Sequence, residues 1–200
     1  MDYKEETKRV YNKFACEFEE RTKDYLSNYI FDDAELFIKN LKGKNILDLG
    51  SGPGRDALFF KQKGLFPTCV DISSEMVNLC KQKGLNAFEM DIENILFNNG
   101  SFDWVWAYTS LLHITKEQFP VALKKISDIL NDNGIFYLGM KEGDSEGWLA
   151  SDKYGNENRF FALYRDNELK TLLSQFFIVI HSSQVKIGEA HFLNYLCTKR

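Results

Sequence analysis

The chain has 200 residues, with 25 Lys and Arg against 29 Asp and Glu and a formal net charge of −4. That balance argues against nucleic acid as a partner, and pairs such as Lys124-Lys125 read as solvated helix faces. With 44% hydrophobic and 27% charged residues, it has the texture of a globular fold that needs no disulfide or structural metal.

Cys16, Cys69, Cys80 and Cys197 are widely separated and form no Cys-x-x-Cys pair. Zinc and dithiol chemistry are therefore not expected, and the thiols read as small buried hydrophobes in a reducing compartment. Residues 1–6 are charged and lack the apolar stretch of a signal peptide, and no apolar run could span a bilayer. The expectation is a cytoplasmic protein with no membrane partner, acting as a monomer or homodimer.

In chain order, residues 3–42 read as two helices, with Val10, Phe14 and Phe18 at helical spacing. Asn45 to Leu49 reads as a first strand, followed by a glycine loop and a helix near 54–63. Phe66 to Val70 is a second strand, with Ser73 or Ser74 capping the helix that runs to about Lys83. Asn86 to Met90 and Phe102 to Ala107 are the third and fourth strands. Thr115-x-x-Gln118 matches a capping box opening a helix to Leu130, ended by Asn131-Asp132-Asn133-Gly134 with Gly134 in the left-handed cap. Ile135 to Met140 is a fifth strand, and 142–159 reads as a polar connector before a helix at 166–175. Strands near 177–185 and 190–198 close the chain around a turn at Lys186-Ile187-Gly188-Glu189.

Strands alternating with helices predict an α/β fold: a doubly wound, mostly parallel sheet with a C-terminal antiparallel hairpin. A single domain is expected, with 1–42 as an N-terminal helical cap over a 43–200 core. Ligands in such sheets bind beyond the carboxyl ends of the strands, so functional residues should follow strands one to five.

After strand one comes Gly50-Ser51-Gly52-Pro53-Gly54, where glycines let the backbone approach a ligand and the next helix offers unpaired N–H groups. Asp71 ends strand two and can accept both hydroxyls of a ribose. The Gly-x-Gly-x-Gly spacing departs from the dinucleotide fingerprint. Asp48 ahead of the loop would repel a pyrophosphate and suits a cationic ligand bearing an ammonium and a sulfonium. The pattern favours S-adenosylmethionine over NAD.

Ile46-Leu47-Asp48-Leu49-Gly50-Ser51-Gly52-Pro53-Gly54-Arg55-Asp56 resembles motif I of the class I (seven-stranded, Rossmann-like) methyltransferases. Val70 to Met76, Phe102 to Ala107 and Leu130 to Phe136 resemble their later motifs, and the likeness runs from about residue 10 to the C-terminus. More narrowly, it resembles small standalone bacterial or archaeal members of mostly unassigned substrate. The resemblance implies that Asp48 and the backbone of Gly50, Ser51 and Gly52 hold the cofactor's methionine portion, with Gly54 and Arg55 also among the cofactor-binding residues. It implies Asp71 on the ribose, Ile72 and Met76 against adenine, Asp91 and Ile92 as adenine-amino acceptor and apolar wall, and Ala107 beside the methionine. Tyr11 would stand near the methionine carboxylate; the alternative is aromatic packing beside Phe14.

Methyl transfer needs an aligned nucleophile and, for an acidic one, a proton acceptor. His113, just beyond strand four, is the general-base candidate; the alternative is a partly buried histidine bonded to backbone in a short helical turn. His181 and His191 read as structural. No Asn/Asp-Pro-Pro-aromatic motif follows strand four, no Pro-Cys pair exists and no acidic cluster suggests a metal, which argues against base methylation and metal-dependent chemistry. Lys141, Glu142, Trp148 and Arg159 are candidate substrate contacts on a loop after strand five. The expected activity is methylation of a small-molecule O, N or S nucleophile. Competing readings are a protein or RNA acceptor, a nicotinamide-dependent oxidoreductase, and a non-catalytic adenosyl-ligand module.

Overall fold

The computed structural model describes residues 2–40 and 42–200; Met1 and Leu41, both within the expected domain and Leu41 within the expected helical stretch, lie outside the described residues. The N-terminal cap holds three α-helices rather than two: α1 (Tyr3–Lys13), α2 (Ala15–Thr22) and α3 (Phe31–Lys39), with a π-type turn at Leu26–Ile30. Asp2 caps α1 by accepting the Lys4 N–H at 3.0 Å. Phe14 departs from helical geometry at φ −116°, ψ 25°, and that break separates α1 from α2.

The main sheet has seven strands. β1 (Asn45–Leu49), β2 (Phe66–Asp71), β3 (Asn86–Glu89), β4 (Phe102–Tyr108) and β5 (Leu130–Lys141) run parallel in the order β3-β2-β1-β4-β5. Two further strands extend it, β9 (Ala190–Lys199) antiparallel to β5 and β8 (Phe177–Ile187) antiparallel to β9. Strand alternation sends Leu47, Val105, Ala107, Phe136 and Leu138 to one face, beneath Phe119, Leu123 and Ile126 of α6 (Phe119–Ile129) and Leu169 and Leu173 of α7 (Asp166–Leu173). Ile46, Trp104, Trp106, Ile135 and Tyr137 go to the other, against Phe37 of α3 and Phe60 of α4 (Arg55–Gln62). The chain crosses from one side of β1 to the other in the connection from β3 to β4, and the crevice at that switch lies above the C-terminal ends of β1 and β4.

Ser73 caps α5 (Ser74–Gln82), its hydroxyl accepting the Met76 N–H at 3.2 Å. The Thr115 hydroxyl accepts the Gln118 N–H at 3.2 Å, and regular helix starts at Phe119. The left-handed residue after α6 is Asn133 (φ 62°), not Gly134. Asn tolerates that conformation, and Gly134 is needed for room: a Cβ there would sit 2.8 Å from the Asn131 carbonyl oxygen. The closing hairpin turns tightly on Gly188-Glu189, with Ile187 and Ala190 already paired. Cys16 is exposed; only Cys69, Cys80 and Cys197 are buried.

The segment 142–159 is largely not a connector. β6 (Glu146–Ser151) and β7 (Glu157–Ala162) form a separate antiparallel hairpin, which buries Arg159, Phe160 and Ala162 of β7. α1 lies against this hairpin: Arg9 and Lys13 pair with Glu157, and Tyr3 packs on Phe160 with ring centroids 4.7 Å apart. Cap and hairpin together roof the crevice.

Candidate functional site

The glycine loop satisfies its own amides. Gly50 and Ser51 both donate to the Val70 carbonyl, at 2.8 and 2.9 Å, Gly52 donates to Asp71 Oδ2 at 2.8 Å, and Gly54 to the Ser51 carbonyl at 3.0 Å. Curling back on β2 thus engages the amides of Gly50, Ser51 and Gly52, the loop residues whose backbone is expected to hold the cofactor. What the loop gives the cavity is close approach. Gly50 has φ 73°, and a Cβ on it would lie 2.2 Å from Ser110 Cβ.

Asp48 closes the floor. It is 3% exposed, its carboxylate receives the Ala57 N–H, and its Oδ2 is buried without a partner. Burial, reinforced by the neighbouring Asp56 carboxylate, raises its pKa well above the ordinary carboxylate range. Arg55 does little to relieve it, because the guanidinium grips Asp56 (2.6 and 2.9 Å) and the Thr22 carbonyl of α2 (3.0 Å).

Asp71 stands at the end of β2, with Oδ1 accepting the Ser73 N–H at 2.9 Å and Oδ2 that of Gly52. Burial pushes its carboxyl up to about 6, against the pull of the Ser73, Gly52 and Ile72 amides. Each oxygen keeps a lone pair, and Asp71, Ile72, Met76 and Ile92 share a cavity of about 380 Å³ with Asp48, Gly50, Ser51, Gly52 and Arg55.

Five expected residues stand outside this cavity. Gly54 (φ 80°) is buried behind the loop, where a Cβ would meet Leu85 at 2.6 Å and Cys80 at 2.8 Å. Asp91 is drawn away by Lys4 of α1 at 2.8 Å and caps a turn through the Glu93 N–H at 2.9 Å. Ala107 faces the core, because the two-residue period pairs it with Val105 rather than with the ligand side. Glu142 reaches toward Arg165, at 3.9 Å, and Trp148 is 44% exposed on the outer side of the hairpin, edge-on to Phe160.

The hairpin wall carries a polar chain. Arg159 Nη1 donates to the Tyr11 hydroxyl at 2.7 Å, and Tyr11 Oη lies 2.7 Å from His113 Nε2. His113 Nδ1 lies 2.7 Å from the Phe160 carbonyl, which can only accept, so Nδ1 carries the proton and Nε2 accepts from Tyr11. Burial, with Arg159 nearby, lowers the His113 pKa to about 3. The backbone-bonded alternative is thus the one seen: His113 ends a 3₁₀ turn (Leu111–His113), and its basic nitrogen is engaged. Tyr11 packs edge-on against Phe18 and Tyr154 rather than beside Phe14. Lys141 and Arg159 line the cavity. His181 and His191 lie on the exposed part of the closing hairpin.

Other cavity residues escaped the sequence reading. Thr109 follows β4 at φ 57°, a conformation β-branched residues rarely adopt, fixed by its N–H to the Gly139 carbonyl at 2.8 Å. Ser110 donates to the Leu49 carbonyl at 2.6 Å, and Tyr108 has a buried hydroxyl without a partner. Position after strand four was the available signal. Phe18, Tyr154 and Phe161 come from the cap and the hairpin, where local pattern gave no pointer. Among the described residues, no three His, Cys, Asp or Glu gather for a metal ion, and no helix is long and apolar enough to cross a membrane.

Residues 46–134 match the family described as a methyltransferase domain. The likeness is thus to a methyltransferase domain, over 89 of the chain's 200 residues. One curated relative, malonyl-[acyl-carrier protein] O-methyltransferase of Enterobacter lignolyticus, is 26% identical over 124 residues, 58% of this chain and 49% of that protein. The chain therefore spans about half the length of that relative. In fold, it resembles the magnesium protoporphyrin IX methyltransferase of Synechocystis with S-adenosylmethionine bound, at TM-score 0.75, 15% identity and coverage of 100% and 98% of the two chains. It also resembles 1,6-didemethyltoxoflavin-N1-methyltransferase of Burkholderia thailandensis with S-adenosylhomocysteine bound, at TM-score 0.65, 22% identity and coverage of 94% and 89%.

The donor set of the cavity suits S-adenosylmethionine. The unpartnered Asp48 oxygen asks for a cationic donor, which an ammonium supplies, and Asp71 retains acceptor capacity for a ribose.

Proposed function

We propose that the chain transfers the methyl group of S-adenosylmethionine to a small-molecule O, N or S nucleophile, with the 1–42 cap and the 43–200 core working as one cytoplasmic domain. The observation that carries the reading is the buried Asp48 carboxylate oxygen, left without a partner on the floor of a roofed cavity at the sheet's switch point. A cavity of about 380 Å³ under helices and hairpin suits a cofactor end and a compact acceptor better than a macromolecular surface. The buried free thiols Cys69, Cys80 and Cys197 agree with a reducing compartment.

When bound, the cofactor supplies a methyl carbon already activated by its sulfonium. The chain's residues align the partners. Asp48 holds the ammonium, Asp71 the ribose, and Ile72, Met76 and Ile92 form the apolar wall for adenine. Roof residues exclude water and orient the acceptor. His113, with Nε2 engaged by Tyr11, keeps that hydroxyl in place; an acceptor's proton leaves to solvent unless it displaces Tyr11.

Thermal unfolding tests the cofactor half. S-adenosylhomocysteine at 100 times its Kd should stabilise the protein by about 2.7 kcal/mol, roughly 5–10 °C for a chain of this size. NAD should give no shift. A metabolite panel scored by S-adenosylhomocysteine release tests the acceptor half; release with protein or RNA substrates alone would replace the small-molecule reading.

A further inference from the structure

Arg159, on β7, is only 9% exposed and lines the cavity. Its guanidinium is caged by aromatic rings, with centroids at 4.0 Å (Tyr154), 5.0 Å (Phe161) and 5.2 Å (Tyr11). Nη1 donates to the Tyr11 hydroxyl, whereas Nε is buried with no partner. Among the described residues, no carboxylate pairs with it. Ring faces offset only about 0.5–2 kcal/mol of the cost of burying a cation, so the site is built for an anion it does not itself contain.

The surroundings sharpen this. Arg21 stacks on Tyr154 as well, at 4.5 Å, so one ring carries two guanidinium groups. Like charges gathered without a carboxylate raise the attraction for a ligand anion. The cavity's acids, Asp48, Asp56 and Asp71, all come from β1, α4 and β2 on the glycine-loop wall. Phe161, Phe192 and Ile187 add apolar surface to the cavity, and Lys141 and Lys153 line it as further cations.

We propose that the hairpin wall is an anion subsite, in which Arg159, with Arg21 across the Tyr154 ring, receives the carboxylate of an apolar methyl acceptor. This rests on the methyltransferase reading of the cavity. A carboxylate could come from the acceptor or from the methionine end of the cofactor. The acceptor is the better source: the cofactor's carboxylate shares a carbon with its ammonium, and the group that answers the ammonium, Asp48, lies on the other wall.

The test uses protein saturated with S-adenosylhomocysteine and paired probes: benzoate against benzamide, phenylacetate against phenylacetamide, and indole-3-acetate against indole-3-acetamide. At least one acid should raise the melting temperature while its amide does not. Calorimetry should show that acid binding at least tenfold weaker in Arg159→Gln and in Arg159→Lys, which keeps the charge but loses the fork, with S-adenosylhomocysteine affinity within twofold of wild type. Equal behaviour of acids and amides, or unchanged acid binding in both variants, would overturn the proposal. So would weakened S-adenosylhomocysteine binding with 5′-methylthioadenosine, which lacks the amino-acid end, unaffected; that places the carboxylate on the cofactor. If S-adenosylhomocysteine fails to bind wild type, the underlying methyltransferase reading falls instead.

Discussion

Gly50 and Ser110 meet where β1 and β4 end, so closely that a Cβ on Gly50 would lie 2.2 Å from the Ser110 Cβ. Ser110 is itself fixed by its hydroxyl on the Leu49 carbonyl. Gly50→Ala should therefore combine left-handed strain of about 1–2 kcal/mol with a steric clash, lowering the melting temperature by several degrees and abolishing stabilisation by S-adenosylhomocysteine. Gly64→Ala is the control. It shares the positive φ (83°) but has open space around it, so it should carry the strain alone and bind ligand normally.

Asp48→Asn should separate folding from binding. The substitution removes a buried charge that Asp56 opposes, so the free protein should melt at the same temperature or higher. S-adenosylhomocysteine affinity should fall at least tenfold, about 1.4 kcal/mol, for want of a carboxylate to meet the ammonium. Wild-type affinity in calorimetry would show that Asp48 does not face the ligand's cation.

Asp71 should impose a pH limit near 6. Because its carboxyl is raised when folded, its contribution to the free protein's stability is full at low pH and lost as pH rises through about 6. Ligand hydroxyls donate to the ionised form, so binding runs the other way: affinity is greatest above pH 6 and falls below it. Titration at pH 5.5 in buffers of different ionisation enthalpy should reveal proton release. A flat affinity from pH 5 to 7.5 would remove Asp71 from the ribose.

His113 should destabilise the fold in acid. Its lowered pKa means that its contribution is intact above the ordinary value of about 6.5 and is lost as pH falls toward about 3, because only the unfolded chain takes the proton. Between those limits the slope from this group is about 1.4 kcal/mol per pH unit. His113→Asn should flatten the acid side of a denaturation series; an unaltered slope would mean that the imidazole is protonated in the native protein.

The parallel strands were legible because β1, β2, β4 and β5 are apolar runs punctuated by Gly, Asp and Ser, and the loop was legible because its glycines are needed for contact geometry. Asp48 and Asp71 followed from strand position. Asp91 misled by the same rule, since Lys4 reaches it from 87 residues away, a pairing that local pattern does not encode. The β6–β7 hairpin was missed because β6 is exposed on most positions and reads as polar linker; its buried half, Arg159 to Ala162, carried the signal. The Tyr11–His113–Arg159 chain joins three distant segments and exists only once they pack.

Trp106 is fully buried, stacked on Tyr137 at 3.9 Å, and donates its indole N–H to Asp56 at 2.9 Å. Asp56 also clasps Arg55, and both line the cavity, so whatever settles beside them alters the field on that indole. Trp148 is the exposed one of the three tryptophans, and iodide would quench it selectively. What remains is blue emission from the interior, an optical gauge of cavity occupancy already wired into the protein and readable without a label.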